Sequence, residues 1–168
     1  MNTINQDTFP PRETTGDNTH RWLVMKFGGT SVSTADRWQT IRDLIRERQS
    51  AGYRPVIVHS ALATVSNGLQ AALDAAVEGE YRQQYEAIVT VHMELATALG
   101  IDVQSLLAEY MTNLDQLLAG IRLIREISPR VHVKVMALGE LMATTLGAAY
   151  LQSQDLPVVW TDARDLLQ

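Results

Sequence analysis

Cysteine is absent from the 168-residue chain, and positive charge is scarce, with 14 lysine and arginine residues against 19 acidic residues. A chain without cysteine has no disulfide framework, no thiol nucleophile and no cysteine-bound zinc site. An acidic chain without a basic stripe also lacks the electrostatic footprint of a nucleic-acid-binding protein. No apolar run is long enough to cross a bilayer. We therefore expect neither nucleic acid nor a membrane as a partner, and we expect a cytoplasmic location.

The histidines and the few aromatic residues indicate a packed core rather than a metal site. The four histidines have no spacing typical of metal ligands, so the sequence predicts no protein-bound metal. His92 falls on one helical face with Ile88 and Leu95, which favours a core histidine. Trp38 and Tyr85 are interpreted as core or interface residues. Because hydrophobic residues make up 46% of the chain, it can bury the core of an ordinary globular domain.

Periodicity along the chain predicts an α/β fold, with a mostly parallel sheet flanked by helices, behind a flexible leader. Residues 1–20 are polar and turn-rich and lack the apolar stretch of a signal peptide, which predicts the leader. The runs 22–27 and 55–60 predict two parallel strands, the first of them buried, joined by a helix that Ser33 or Thr34 can cap. The other predicted elements are helices over 66–77, 80–99, 104–119 and 131–152, a short helical piece between 120 and 128, and a third strand over 157–160.

The most informative stretch is Lys26-Phe27-Gly28-Gly29-Thr30-Ser31, between the first predicted strand and the first predicted helix. The diglycine removes the Cβ atoms that would keep an anion from the backbone amides, and the amino end of a following helix attracts negative charge. Lys26 adds a compact, mobile positive charge. The stretch matches neither the G-x-x-x-x-G-K-[ST] phosphate loop nor the G-x-G-x-x-G dinucleotide fingerprint. The residues alone leave open a phosphate site and a simple tight turn from which the lysine reaches solvent.

Three further positions combine polar side chains with defined places in the predicted fold. Ser60-Ala61 follows the second strand at the sheet edge where the lysine lies, so it is either a strand-terminating turn or a site for a carboxylate or phosphate. Glu140 interrupts an apolar helical segment, so it is either an exposed helix position or an acid with a cationic partner. Gly139 lowers helix stability, which predicts that another group approaches closely there. Asp162 and Arg164 either pair with each other or cap the next element.

Four blocks of the sequence, read in order, resemble the aspartokinases, which are members of the amino acid kinase family. The blocks are residues 26–31, 56–61, 138–144 and 159–164. The resemblance implies the amino acid kinase (carbamate kinase-like) fold, incomplete in this chain, with residues 21–168 forming the N-terminal portion of the family domain. Residues 19–22 and the helix containing Trp38 also resemble the fused aspartokinase–diaminopimelate decarboxylases of some bacteria.

The resemblance also implies a reaction, the transfer of a phosphoryl group from ATP to the side-chain carboxylate of L-aspartate. The product is 4-phospho-L-aspartate, at the start of lysine, threonine and methionine biosynthesis. Mg²⁺ is expected to accompany the nucleotide, and a homo-oligomer is expected. Lys26 is the implied catalytic residue, and the implied phosphate-binding residues are Lys26, Gly28, Gly29, Thr30 and Ser31. The implied aspartate-binding residues are Ser60, Ala61, Ser66 and Glu140, with Ser66 in place of the family's usual threonine.

Two alternatives stay open, and the chain by itself is expected to be inactive. The first alternative is another amino acid kinase, acting on glutamate, N-acetylglutamate, carbamate or UMP. The second is a non-catalytic α/β fragment that self-associates through the apolar faces of the helices over 80–119. Because the resemblance covers only the first part of an aspartokinase catalytic domain, it implies that this chain alone binds ATP poorly and turns over no substrate.

Overall fold

The structure is a computed structural model that describes residues 21–102 and 104–166, so the leader predicted over residues 1–20 lies outside the described residues. Within these ranges one β-α-β unit is followed by a run of four helices, which is the predicted α/β class. The strands are β1 (Arg21–Phe27) and β2 (Tyr53–His59), and the α-helices are α1 (Ala35–Ser50), α2 (Val65–Glu78), α3 (Arg82–Ala98), α4 (Gln104–Ile124) and α5 (Pro129–Ser153). Short 3-10 helices span Gly29–Val32 and Ala163–Asp165.

The sheet consists, in the described residues, of β1 and β2, which pair in parallel along their whole length as predicted. Because side chains alternate across a strand, one face of the sheet meets the helices and the other does not. On the second face Trp22 and Val24 are each 67% exposed, and Val58 is 48% exposed. The expectation that the first strand is buried is therefore wrong for this face. A parallel sheet is buried only when both faces are covered, and the described helices cover one.

The core is built around α2, which contacts α3, α4 and α5. The predicted apolar face of α2, formed by Leu69, Ala72, Leu73 and Ala76, has no exposed surface. Burying a leucine side chain contributes about 1.5–3 kcal/mol, so this face fixes α2 firmly against its neighbours. His92 on α3 is also fully buried, which confirms the interpretation of a core histidine.

Helix α4 continues through Gly120 instead of ending there. A glycine in a helix interior costs about 1 kcal/mol relative to alanine. Leu118 and Ile121, with 0% and 1% exposure, extend the buried stripe of α4 past the glycine, and this packing outweighs the cost. The helix ends at Ile124, and the next residue, Arg125, has a φ of 56°. The separate short helix predicted between residues 120 and 128 is therefore wrong.

Residues 157–160, predicted as a third strand, have no strand partner among the described residues. Val159 is 86% exposed, and the carbonyl of Val158 accepts a hydrogen bond from Gln152 Nε2 at 2.9 Å instead of joining a ladder. An apolar β-branched run is a stable strand only where it fits a pleated surface against neighbours. The third strand is thus wrong for the part of the chain that the structure describes.

Candidate active site

The diglycine lies in the loop after β1, but it does not open α1 directly. Gly28 precedes the 3-10 helix Gly29–Val32, in which Ser31 N donates to the Gly28 carbonyl at 2.9 Å. Helix α1 begins only at Ala35, and Thr34 occupies the N-cap position without a side-chain capping hydrogen bond. The predicted helix therefore begins where Ser33 or Thr34 was expected to precede it, and the 3-10 helix separates it from the diglycine. The backbone amides next to the diglycine belong to a 3-10 turn.

The two glycines of this loop have different surroundings. A Cβ atom at Gly28 would meet nothing within 4 Å, so the backbone there is open to a ligand. A Cβ atom at Gly29 would lie 2.7 Å from the carbonyl oxygen of Ala61 and 3.2 Å from the amide nitrogen of Ala63. Gly29 is therefore required for close backbone packing between this loop and the loop after β2.

Lys26 lies on the open face of the sheet, near the carboxyl end of β1. Alternation along the strand places it on the same face as Val24, and its register partner on β2 is Val58. Its side chain is exposed, and no acidic side chain in residues 21–102 and 104–166 forms an ion pair with it. The charge of Lys26 is thus available to an anion at the sheet edge where ligands of open α/β sheets bind.

The second loop of the site, residues 60–64, follows β2 and lies beside the diglycine. Ser60 N donates to the carbonyl of the last β1 residue at 3.4 Å, which extends the strand pairing by one step. Ser60 is half-buried and Ala61 is only 3% exposed. Thr64 has a φ of 71°, in the left-handed region that a β-branched residue rarely adopts. The loop ends in α2, whose first turn carries the exposed Ser66 and backbone amides that have no partner within the helix.

Helix α5 reaches this second loop through Gly139. A Cβ atom at Gly139 would lie 2.9 Å from Leu69 Cδ1 and 3.2 Å from both Ala61 Cβ and Val65 Cγ1. The close approach predicted from this glycine is confirmed. The next residue, Glu140, is exposed and forms no ion pair within the described residues. Helix α5 therefore carries an exposed carboxylate to a position one residue from a direct contact with the second loop.

Ala61 is the point at which the predicted residues meet. Gly29 packs against its carbonyl group and Gly139 packs against its methyl group. The predicted site residues that make these contacts or adjoin them in sequence are Gly28, Gly29, Thr30, Ser60, Ala61, Ser66 and Glu140. Lys26 and Ser31 belong to the chain segment on either side of the diglycine, so all the predicted residues fall in one region of the fold.

Trp38 on α1 joins the elements of this region, a role that the sequence did not reveal. It is 1% exposed, which confirms it as a core residue. Its Nε1 donates to the buried Val32 carbonyl at 2.8 Å, and its ring meets the His59 ring edge-on with 5.4 Å between centroids. A Cβ atom at Gly147 on α5 would collide with the indole, so this glycine leaves the space that Trp38 fills. No local signal links Trp38 to Gly147, because they are distant in the chain.

Burial favours the neutral form of two histidines. Desolvation lowers the pKa of His59 below the ordinary 6.5, although its Nδ1 lies 3.0 Å from the carbonyl oxygen of Ser60. Desolvation also lowers the pKa of His92, whose Nδ1 lies 2.8 Å from the Ile88 carbonyl. The Nε2 atom of His92 has no hydrogen-bond partner in the described structure. Burial therefore disfavours a positive charge on His59 beside Ser60.

Asp162 pairs with Arg164 and also caps the following 3-10 helix, so both interpretations hold. Asp162 Oδ1 accepts a hydrogen bond from the backbone N of Arg164 at 2.9 Å and caps the second 3-10 helix. Its other oxygen, Oδ2, lies 2.6 Å from Arg164 Nη2. The hydrogen-bonded guanidinium lowers the pKa of Asp162. The pair stabilises the turn that follows residue 160.

Within residues 21–102 and 104–166, no group of three or more histidine and acidic side chains is placed to hold a metal ion. None of the helices in the described structure combines the length and apolar character that crossing a membrane requires.

The β-α-β unit with a diglycine loop and a Ser-Ala turn at one sheet edge defines the class of protein. The amino acid kinase family matches residues 21–168, and the chain belongs to this family. The structure of E. coli aspartokinase III in complex with aspartate and ADP (R-state) superposes with a TM-score of 0.74 and 27% sequence identity. This match covers 86% of the chain and 32% of that structure, and it confirms the amino acid kinase fold.

Within the family, the chain is similar to aspartokinases. It is 35% identical over 133 residues to aspartokinase 3, chloroplastic, of Arabidopsis thaliana, which covers 76% of the chain and 23% of that protein. It is 30% identical over 145 residues to the aspartokinase of Chlamydia muridarum, which covers 86% of the chain and 31% of that protein. The chain thus spans about a quarter to a third of the length of the relatives it matches.

Proposed function

We propose that this chain carries the aspartate- and phosphate-binding side of an aspartate kinase site. The reaction transfers the γ-phosphoryl group of ATP to the side-chain carboxylate of L-aspartate and yields 4-phospho-L-aspartate, on the way to lysine, threonine and methionine. The observation that carries the proposal is the meeting of the diglycine loop, the Ser-Ala turn and the segment before Glu140 at Ala61. The aspartokinase relatives, and the aspartate and ADP in the E. coli structure, support this choice of substrates.

The phosphate side would consist of Lys26 and the diglycine loop. A carboxylate is already a nucleophile, so its phosphorylation needs positioning and charge neutralisation rather than a general base. Lys26, exposed and without an acidic partner in the described residues, would stabilise negative charge on the transferring group. The amides of Gly28 and Gly29 and the hydroxyl groups of Thr30 and Ser31 would donate to phosphate oxygens. Mg²⁺ bound through the nucleotide would neutralise further charge.

The aspartate side would consist of the second loop, the start of α2 and Glu140. Ser60 and Ala61 would hold the side-chain carboxylate that is phosphorylated. Ser66 lies in the first turn of α2, where a hydroxyl group and free backbone amides together favour an anion. The exposed carboxylate of Glu140 would bind the amino group of aspartate through a charge-assisted hydrogen bond.

Turnover would belong to a longer polypeptide than these 168 residues. Because the chain spans only about a quarter to a third of its relatives, we propose that it binds ATP weakly and does not phosphorylate aspartate alone. Robust formation of aspartyl hydroxamate by the isolated chain would contradict this.

The homo-oligomer, the fusion to a decarboxylase and the cytoplasmic location stay predictions. The Arabidopsis relatives are described as chloroplastic.

Substitutions of the two charged residues in the full-length polypeptide test the proposed function. Aspartate-dependent release of ADP is measured in a coupled assay. Lys26→Ala should lower kcat about hundredfold or more, because a preorganised charge at the transferring group is lost. Glu140→Gln should raise the KM for aspartate about tenfold, because a hydrogen bond between charged groups is weakened.

Each of these variants has a matched control on the surface. Lys134→Ala removes the other lysine of the chain, and Glu86→Gln neutralises another exposed helical glutamate. Both controls should keep the parent kcat and KM. Full activity of Lys26→Ala, with an unchanged circular dichroism spectrum, would refute the assignment of Lys26.

Another amino acid kinase activity remains the first alternative, with glutamate, N-acetylglutamate, carbamate or UMP as substrate. A thermal-shift comparison of the full-length protein with aspartate and each of these compounds separates the possibilities. Aspartate should give the largest rise in Tm, because a ligand stabilises the state that it binds. A larger rise in Tm with one of the other compounds would identify that compound, and not aspartate, as the substrate.

Self-association is the second alternative. The predicted apolar faces of the helices over 80–119 are buried in the core, as Leu95 and Leu114 show, so the open apolar face of the sheet is the surface that favours association. Trp22 and Val24 are exposed there beside Val56 and Val58. Exposed apolar surface of this kind promotes association with a second copy or with another part of a longer chain. Multi-angle light scattering of the 168-residue chain measures this directly, and a monomer at all concentrations removes the alternative.

A further inference from the structure

One hydroxyl group, that of Ser33, joins the two loops of the site. Ser33 Oγ donates to the carbonyl of Gly29 in the first loop at 2.6 Å. The same oxygen accepts a hydrogen bond from Ala63 N in the second loop at 2.7 Å. Both distances are short, and the donor and one acceptor position of the hydroxyl are in use. Ser33 is half-buried, so water competes only partly for these bonds.

The other contacts between the two loops constrain their relative orientation less than the two Ser33 hydrogen bonds do. The hydrogen bond from Ser60 N to the Phe27 carbonyl is 3.4 Å long and lies at the strand end. Gly29 packs on the backbone of the second loop by van der Waals contact. Packing excludes gaps but fixes orientation less than a short hydrogen bond does. The Ser33 hydroxyl therefore adds a directional link between the far ends of the two loops.

Helix capping does not account for Ser33. The N-cap residue of α1 is Thr34, and its side chain makes no capping hydrogen bond. The Ser33 hydroxyl is turned back to Gly29, four residues earlier in the chain. The expectation that the side chain of Ser33 or Thr34 caps the helix is therefore wrong, and the Ser33 hydroxyl is committed to the site instead.

We propose that Ser33 is a positioning residue, which holds the phosphate-side loop and the aspartate-side loop at a fixed separation. This inference rests on the proposed function, since that function assigns one loop to each substrate. Phosphoryl transfer requires the attacking carboxylate and the phosphoryl group to be aligned, and a displacement of about 1 Å can cost about a hundredfold in rate. A residue that fixes both loops acts on kcat more than on either KM.

Amide hydrogen exchange in the 168-residue chain tests the contact without reference to activity. Ser33→Ala removes the acceptor of the Ala63 amide, so exchange of this amide should become roughly three- to tenfold faster while core amides of α2 keep their rates. Ser33→Thr keeps the hydroxyl and should restore slow exchange. The control Thr97→Ala removes a hydroxyl that donates within α3, to the Met93 carbonyl at 2.8 Å, and should leave Ala63 unchanged.

Kinetics of the full-length polypeptide test the positioning role. Ser33→Ala should lower kcat about tenfold, with each KM changed less than threefold, because both binding sites remain while their alignment is lost. Ser33→Thr should recover most of kcat. Thr97→Ala should keep the parent kcat and thereby control for a general loss of helix stability.

The outcomes separate the proposal from the function on which it rests. Unchanged exchange at Ala63 in Ser33→Ala overturns the proposal, as does faster exchange with unchanged kcat. Exchange that rises equally at Ala63 and in the core of α2 also overturns it, because a general loss of stability is then the cause. If the parent polypeptide shows no aspartate-dependent turnover, the proposed function fails, while exchange at Ala63 still decides whether Ser33 joins the loops.

Discussion

Two glycines in helix interiors should respond in opposite ways to the same substitution, Gly→Ala. Gly120 lies in α4, and an added Cβ would meet nothing within 4 Å. Gly139 lies in α5, where the added Cβ would lie 2.9 Å from Leu69 Cδ1 and 3.2 Å from Ala61 Cβ and Val65 Cγ1. Helix propensity favours alanine over glycine by about 0.8–1.0 kcal/mol in both cases. The difference between the two variants therefore reports on packing alone.

The expected magnitude follows from how far each neighbour can move. The Leu69 methyl group can rotate away, but the Cβ of Ala61 is fixed to the backbone of the second loop and Val65 is β-branched. Overpacking of this kind costs about 1–3 kcal/mol. After subtracting the propensity gain, Gly139→Ala should lower the free energy of unfolding by about 1 kcal/mol. Gly120→Ala should raise it by about the same amount.

Urea unfolding followed by circular dichroism measures both changes on the 168-residue chain. The two variants should differ by about 2 kcal/mol, which corresponds to roughly 4–8 °C in Tm for a domain of this size. The parent slope of free energy against urea should be preserved in both. If Gly139→Ala stabilises the chain as much as Gly120→Ala does, α5 does not pack on the second loop as described and the site geometry is refuted.

Three further substitutions or conditions give outcomes with a defined sign. Thr64→Gly should raise the free energy of unfolding by about 1 kcal/mol in urea titrations, because it removes strain at a φ of 71°; a decrease would show that the loop is unstrained. Trp38→Phe should lower the free energy of unfolding by about 1–3 kcal/mol, because the buried Val32 carbonyl loses its hydrogen-bond donor. An unchanged free energy of unfolding would mean that a water molecule replaces the indole as donor. Burial lowers the pKa values of His59 and His92 below 6.5. As the pH falls, the unfolded chain therefore takes up protons that the folded chain does not. The free energy of unfolding should accordingly fall between pH 7 and pH 5.5. His92→Leu should flatten that dependence, and an equally steep dependence in the variant would contradict the assignment.

Local sequence patterns predicted the helices of this chain well, because the interactions that form a helix are themselves local. The buried face of α2 follows the 3.6-residue spacing of Leu69, Leu73 and Ala76, and a helix needs only its own neighbours in sequence to form its hydrogen bonds. The local pattern gave the wrong helix end at Gly120, because the buried side chains of Leu118 and Ile121 stabilise the helix beyond this glycine. It failed again at residues 157–160, where a strand requires a partner that no local pattern specifies.

For the site, the sequence by itself determined which residue types are present and in what order. The Lys26–Ser31 stretch, the Ser60-Ala61 turn and Glu140 are legible as motifs, since their chemistry depends on side-chain type and short spacing. Only the tertiary structure decided that the Cα of Gly29 packs on the backbone of the second loop and that Gly139 packs on Ala61. It alone decided that the Ser33 hydroxyl bridges two loops, 30 residues apart, instead of capping a helix. Contacts between distant residues depend on how whole elements pack, and that packing is a property of the fold, not of any one segment.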